Sequence, residues 1–150
     1  MVAMLKLLHR ILTSMGSEKD LAVITEGYTE EVAREETVSM DIGLKKLLWK
    51  EERTDELQAI PADFYTRLSS YIKIMKENKD EKMADRMECL AVDLLRRRLQ
   101  KILGIVSTNP RASKELMDKM SFEEKVLYNT LCKTVAAWEN YMSRYVGGGD

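Results

Sequence analysis

The spacing of apolar positions divides most of the chain into helices. Met40, Leu44, Leu47 and Leu48 recur at i, i+4, i+7 and i+8, the signature of one buried helix face, and predict a helix over residues 40–53. Ser39 stands where an N-cap belongs, and Asp41 suits the positive end of the helix dipole. A second stripe of Phe64, Leu68, Tyr71, Ile72 and Met75 predicts a helix with Pro61 in its first turn, where a missing N–H has no partner to lose, running to about Glu77. Beyond the polar "KENKDEK", Met83, Met87, Leu90, Leu94, Leu95, Leu99, Ile102, Leu103 and Val106 carry an apolar surface through about seven turns, ended by "STNP". A short segment over 112–120 leads to "SFEE", a capping box in which the Ser121 hydroxyl accepts from the Glu124 backbone N–H while the Glu124 side chain reaches back. This opens the last helix, with Leu127, Leu131, Val135, Trp138, Met142 and Tyr145.

The first part of the chain is less periodic. Residues 3–15 fit a short amphipathic helix, with Leu5, Leu8 and Leu12 on one side and Gly16 as its stop. Between Ser17 and Ser39, "DLAVITEG" could be a strand and "YTEEVAREE" a polar helix; neither period is sustained, and the segment reads as mostly irregular. Two prolines and seven glycines are too few for the turn clusters of an all-β fold. The expectation is an all-α protein, a helical bundle of four main helices plus a short N-terminal helix.

Composition narrows the function classes. The 150 residues fit one domain, and 24 Lys and Arg against 25 Asp and Glu leave a net charge of −1, so attraction to nucleic acid or to an anionic membrane needs a local patch. No apolar run approaches the ~20 residues that cross a bilayer. Lys6, His9 and Arg10 interrupt the N-terminal "MVAMLKLLHRILTSMG", unlike a signal peptide, so the expectation is a cytoplasmic protein. Cys89 and Cys132 lack CxxC spacing and fall near apolar helix positions, where reduced, inert core cysteines belong.

Candidate chemistry is sparse. His9 is the only histidine, which excludes a histidine-rich zinc site and the paired ExxH motifs of di-iron bundles, and no phosphate-cradling glycine loop occurs. Carboxylate pairs such as Glu35–Glu36 and Glu51–Glu52 read as solvated faces. In "DLLRRRLQK", Arg96, Arg97 and Arg98 splay around the helix at about 100° per residue instead of forming one basic surface. Asp93, Arg97 and Lys101 read as a surface ion-pair row at i, i+4 spacing. Arg98 lies four residues from both Leu94 and Ile102, on the apolar stripe, so it must snorkel outward or meet a carboxylate of another helix; a phosphate contact is the remaining reading.

In their order, "MDIGLKKLLWKEERTDELQAIPADFYTRLSSYI", "LLRRRLQKILGI" and "MSFEEKVLYNTL" resemble the helical domain of a GINS subunit, of the archaeal type in which that domain comes first. The matching positions are Leu57, Pro61, Phe64 and Tyr65, then Arg98, Leu99, Lys101 and Ile102, then Glu124, Leu127, Tyr128 and Leu131. The resemblance divides the chain into an N-terminal extension (1–39), a helical domain (40–146) and a Gly-rich tail (147–150), and the sequence stops at "VGGGD" without the family's small C-terminal β-domain. It implies a non-catalytic scaffold for DNA replication with no cofactor and no bound metal, cytoplasmic and associated with the nucleoid. The implied partners are a second, circularly permuted GINS subunit in a 2:2 tetramer, the MCM replicative helicase and a RecJ-like protein. Direct DNA contact is left open, and no membrane is involved. An unrelated helical adaptor or regulatory protein is the other reading of such a bundle.

The apolar surplus fits an interaction role. A bundle helix needs roughly three apolar positions in seven, yet Tyr65 stands beside Phe64, and the last helix carries Leu127, Tyr128, Trp138, Tyr141, Met142 and Tyr145. Not all of these can face inward, and aromatic residues left outside are what partner interfaces are enriched in. The interface or structural candidates are therefore Phe64, Tyr65, Arg98, Lys101, Leu127, Tyr128, Trp138 and Tyr141.

Overall fold

The computed structural model describes the backbone of residues 30–147 and the side chains of residues 40–147. The helix expected over 3–15 and the last three residues of the tail lie outside the described residues. By contact the chain divides after Val38, and the unit from Ser39 onward holds the bundle. Five helices and no strand occur among the described residues: α1 (Glu30–Arg53), α2 (Phe64–Glu77), α3 (Glu81–Thr108), α4 (Lys114–Met117) and α5 (Phe122–Val146). The fold is the all-α bundle that the apolar spacing predicts, with α1, α2, α3 and α5 as its main helices.

Two boundaries differ from the sequence reading. Helix α1 starts at Glu30, so residues 30–39 are helical and not irregular. "EEVAREETVS" lacks an apolar period, but four Glu with one Ala and one Arg give it enough intrinsic helix preference to continue the helix upstream of Met40. Helix α2 starts at Phe64, which leaves Pro61 outside it. The Ile60 N–H donates to the Lys119 carbonyl at 3.2 Å, the Ala62 carbonyl accepts from the Phe122 N–H at 2.9 Å, and the Pro61 carbonyl accepts from Phe64 N–H at 3.1 Å. Proline thus sits where the chain pairs on both sides of it and needs no donor of its own. These bonds tie the α1–α2 connection to the entry of α5.

The joint between α2 and α3 is equally specific. The Asp80 N–H bonds to the Met75 carbonyl at 3.0 Å and the Lys79 N–H to the Lys76 carbonyl at 3.2 Å, the two bonds of a Schellman stop. Lys79 supplies the left-handed residue this stop requires, at φ 59°. Asp80 then caps α3, its Oδ1 accepting from the Met83 N–H at 3.3 Å.

Long α3 is the spine, packing against both α2 and α5. Its first half closes an apolar cluster of Leu44, Leu48, Leu68, Met75, Ala84, Met87, Ala91 and Leu94. Its second half closes another, of Leu57, Ile102, Val106, Met120, Tyr128 and Cys132. Truncating a fully buried member such as Leu94 or Met87 costs about 2–5 kcal/mol in a core of this kind. Cys132 is buried as expected, but Cys89 is exposed, because it falls on the side of α3 away from the neighbouring Met87 and Ala91. Along α3 two buried charged residues, Arg98 and Lys101, lie between Leu94 of the first cluster and Ile102 of the second.

Candidate functional site

Arg98 is completely buried and does not snorkel. Two carboxylates from different helices meet it. Its Nε and Nη2 donate to the two oxygens of Glu124 on α5, each at 2.8 Å, and its Nη1 donates to Glu51 Oε2 on α1 at 3.0 Å. The remaining N–H groups reach the backbone carbonyls of Gln58 at 2.7 Å and Lys119 at 3.1 Å. All five guanidinium donors are therefore used, the condition under which a buried cation is tolerated.

Lys101, one turn along α3, completes the cluster. Its Nζ donates to Glu51 Oε1 at 2.6 Å and to the Glu56 carbonyl at 2.8 Å. Two cations and two carboxylates leave the cluster neutral. Tyr65 closes it from α2, its hydroxyl donating to Glu124 Oε1 at 2.6 Å. Burial, reinforced by the negative charge of Glu124, raises the Tyr65 phenol far above its ordinary value. Burial alone would lower the pKa of Arg98, but its hydrogen bonds and attraction to Glu124, with Glu51 adding to them, raise it above the usual value.

Glu124 has a second task. Its backbone N–H donates to Ser121 Oγ at 3.2 Å and its Oε2 accepts from the Ser121 N–H at 3.4 Å, so the capping box read from "SFEE" is present. One carboxylate thus starts α5 and fixes α5 against α3. Helices α1, α2, α3 and α5 and the two loops that bring in Gln58 and Lys119 all meet at Arg98.

Three sequence expectations are corrected here. Glu51 is not on a solvated face: it is fully buried and bonds both Arg98 and Lys101. Asp93, Arg97 and Lys101 do not form a surface row. Lys101 is buried on Glu51, half-buried Arg97 donates its Nε to the Glu51 carbonyl at 3.3 Å, and no ion pair reaches Asp93 among the described residues. Tyr128 is 0% exposed, so it belongs to the core and not to an outer surface. Its hydroxyl accepts from the Ser113 N–H at 3.1 Å and donates to the Arg111 carbonyl at 3.3 Å, holding the segment before α4.

The other candidates separate into two groups. Phe64 is half-buried against the first apolar cluster and meets the Tyr65 ring edge-on at 5.2 Å. Leu127, Trp138 and Tyr141 are exposed on α5. Beyond Val135, which still packs on the second cluster, every residue from 136 to 146 is exposed except half-buried Met142. Trp138 is 62% exposed and Tyr141 65%, and Tyr141 stacks on Tyr145 at 6.4 Å. On α3, Leu95, Leu99 and Leu103, each four residues apart, form a second exposed apolar row.

Among the described residues no three His, Cys, Asp or Glu side chains converge to hold a metal ion, and no helix is long and apolar enough to cross a membrane. A shallow groove of about 460 Å³ is lined by Asp55, Lys101, Gly104, Ile105, Thr108 and Asn109, where the only cation is the lysine already bound to Glu51. The organisation is therefore a charged buried knot that fixes four helices, and apolar rows left outside it. No curated protein and no solved structure matches the chain. Residues 39–143 match the family model of the Sld5 GINS complex protein helical bundle domain, and the chain belongs to that family.

Proposed function

We propose that this chain is a scaffold subunit of an archaeal-type GINS complex, paired with a circularly permuted GINS subunit in a 2:2 tetramer that joins the MCM helicase to a RecJ-like partner. Membership of the family makes it a GINS complex subunit in DNA replication and displaces the unrelated-adaptor reading. The finer reading rests on one observation, the last three turns or so of α5. They extend past the packed core and hold Trp138, Tyr141 and Tyr145 in the open. Large aromatic side chains on a well-formed helix that covers nothing of its own bundle are the usual centre of an obligate interface. The leucine row of α3 supports a tetramer in particular, since a subunit with more than one neighbour needs a second contact surface.

The domain division proposed is an extension over 1–39, the helical domain over 40–146 and the tail after it. Of the candidates, Trp138, Tyr141 and Leu127 are assigned to the partner surface. Phe64, Tyr65, Arg98, Lys101 and Tyr128 are assigned to holding the bundle that presents it. Co-expression with a permuted GINS-type subunit, followed by native mass measurement, is the test. The reading requires one species with two copies of each chain; a monomer that ignores the partner would overturn it.

A further inference from the structure

A second surface, on another helix, carries chemistry that neither the buried knot nor the α5 aromatics use. At 100° per residue, Ile42, Lys46, Trp49 and Arg53 fall within about 60° of one another on α1, with Lys50 beside them. All five are exposed, while Leu44, Leu48 and Glu51 occupy the opposite, buried side. We propose that this outward face of α1 binds single-stranded nucleic acid, with Trp49 stacking a base and Lys46, Lys50 and Arg53 holding the flanking phosphates.

Charge is the first argument. In a chain of net charge −1, residues 42–53 carry Lys45, Lys46, Lys50 and Arg53, against a single exposed carboxylate, Glu52, which turns to the flank of the helix. Lys45 is paired with Asp41 at 2.9 Å, but Lys46, Lys50 and Arg53 have no carboxylate partner among the described residues. The helix dipole accounts for Lys50 and Arg53, which lie in the last turn. It does not account for Lys46, further back, or for a tryptophan between the cations.

The second argument is shape. Trp49 is 54% exposed, and the Arg53 guanidinium lies 4.4 Å from its ring centroid, over one face. This leaves a flat ring backed by a cation, the platform on which bases stack without regard to sequence. From Lys46 to Arg53 the helix rises about 10 Å, so that three cations along it can each meet a phosphate of one strand. An acidic peptide would satisfy the lysines but has no group that requires the tryptophan, so a nucleic-acid strand is the better fit. The site is independent of the tetramer reading, because it lies on α1 and its variants leave Trp138 and Tyr141 in place.

The test uses the full chain and a labelled oligo(dT) strand, with binding read by fluorescence anisotropy and tryptophan quenching. The expected result is binding at low salt, with log affinity falling against log salt at a slope of about −2, as three released counterions on a single strand require. Quenching should persist in Trp138→Phe and vanish in Trp49→Phe. Trp49→Ala should weaken binding about tenfold, and the double variant Lys46→Glu with Lys50→Glu at least as much while reducing the salt slope. Both lysines are exposed, so that double variant decides the matter even if Trp49→Ala perturbs the helix, which circular dichroism would reveal. Absence of oligo(dT) binding, binding unchanged by these substitutions, or equal affinity for poly-glutamate would each overturn the proposal, the last by showing a surface that reads anionic charge alone.

Discussion

Arg98 grips Glu124 through two parallel hydrogen bonds, Nε to Oε1 and Nη2 to Oε2, both 2.8 Å long and both buried. Glu51 takes the opposite side of the guanidinium. The charge in this knot is balanced only while every member is present. Arg98→Ala leaves two carboxylates buried around one lysine, and is expected to cost about 3–5 kcal/mol. Arg67, whose pair with Asp63 is largely exposed, serves as the control, and Arg67→Ala should cost below about 1 kcal/mol. Urea unfolding of both variants checks the contrast, and equal losses would mean that the knot is energetically no different from a surface pair.

Tyr65 gives the knot a pH signature. Its phenol, ordinarily titrating at 10.0, is raised by burial and by Glu124, so the folded chain keeps a proton that the unfolded chain releases. Stability from this source is complete below about pH 10 and declines as the pH rises past it. Tyr65→Phe removes the 2.6 Å bond to a carboxylate and should cost roughly 1.5–3 kcal/mol near neutrality. Above about pH 10 the variant should lose stability less steeply than the parent. Parallel unfolding curves from pH 8 to pH 11 that never converge would contradict the role given to this hydroxyl.

The stop after α2 places a lysine where glycine is favoured. Lys79 holds φ at 59° to complete the Schellman bonds, and its Cβ makes that conformation unfavourable by about 1 kcal/mol. Lys79→Gly is therefore expected to stabilise the bundle by up to about that amount, partly offset by the greater freedom of the unfolded chain. A thermal melt shifted downward would show that the lysine makes a compensating contact.

Much of this was legible in the sequence, and the failures share a cause. Four main helices, the capping box and a carboxylate partner for Arg98 all follow from spacing, because a stripe position must be buried whatever occupies it. Glu51 obeys the same rule. It lies seven residues after Leu44 and three after Leu48, on the buried side of α1, and reading it as one of an acidic pair concealed this. Glu124 similarly precedes Tyr128 by four and Leu131 by seven. The buried charges of the knot, Arg98 and Lys101 against Glu51 and Glu124, find their counter-charges on the buried sides of other helices, a signal available by matching stripes in place of counting adjacent charges. Tyr128 shows the opposite error, since an apolar surplus on a helix does not say which members face out. Only the packing against Ile102, Met120 and the backbone at Arg111 and Ser113 settles that. The place of Pro61 ahead of α2 has no local signature, because its neighbours bond to the entry of α5 in a long-range pairing.

The aromatic end of α5 is tested most directly by the native mass of the chain co-expressed with a permuted GINS-type partner, compared with that of Trp138→Asp combined with Tyr141→Asp. Both positions are exposed and distant in sequence from Arg98, so the variant should keep its helical circular dichroism and its cooperative unfolding. The expected outcome is a 2:2 tetramer for the parent and dissociated, still-folded chains for the variant. An intact tetramer in the variant, or a parent that remains a monomer at high concentration beside its partner, would contradict the assignment of this surface to assembly.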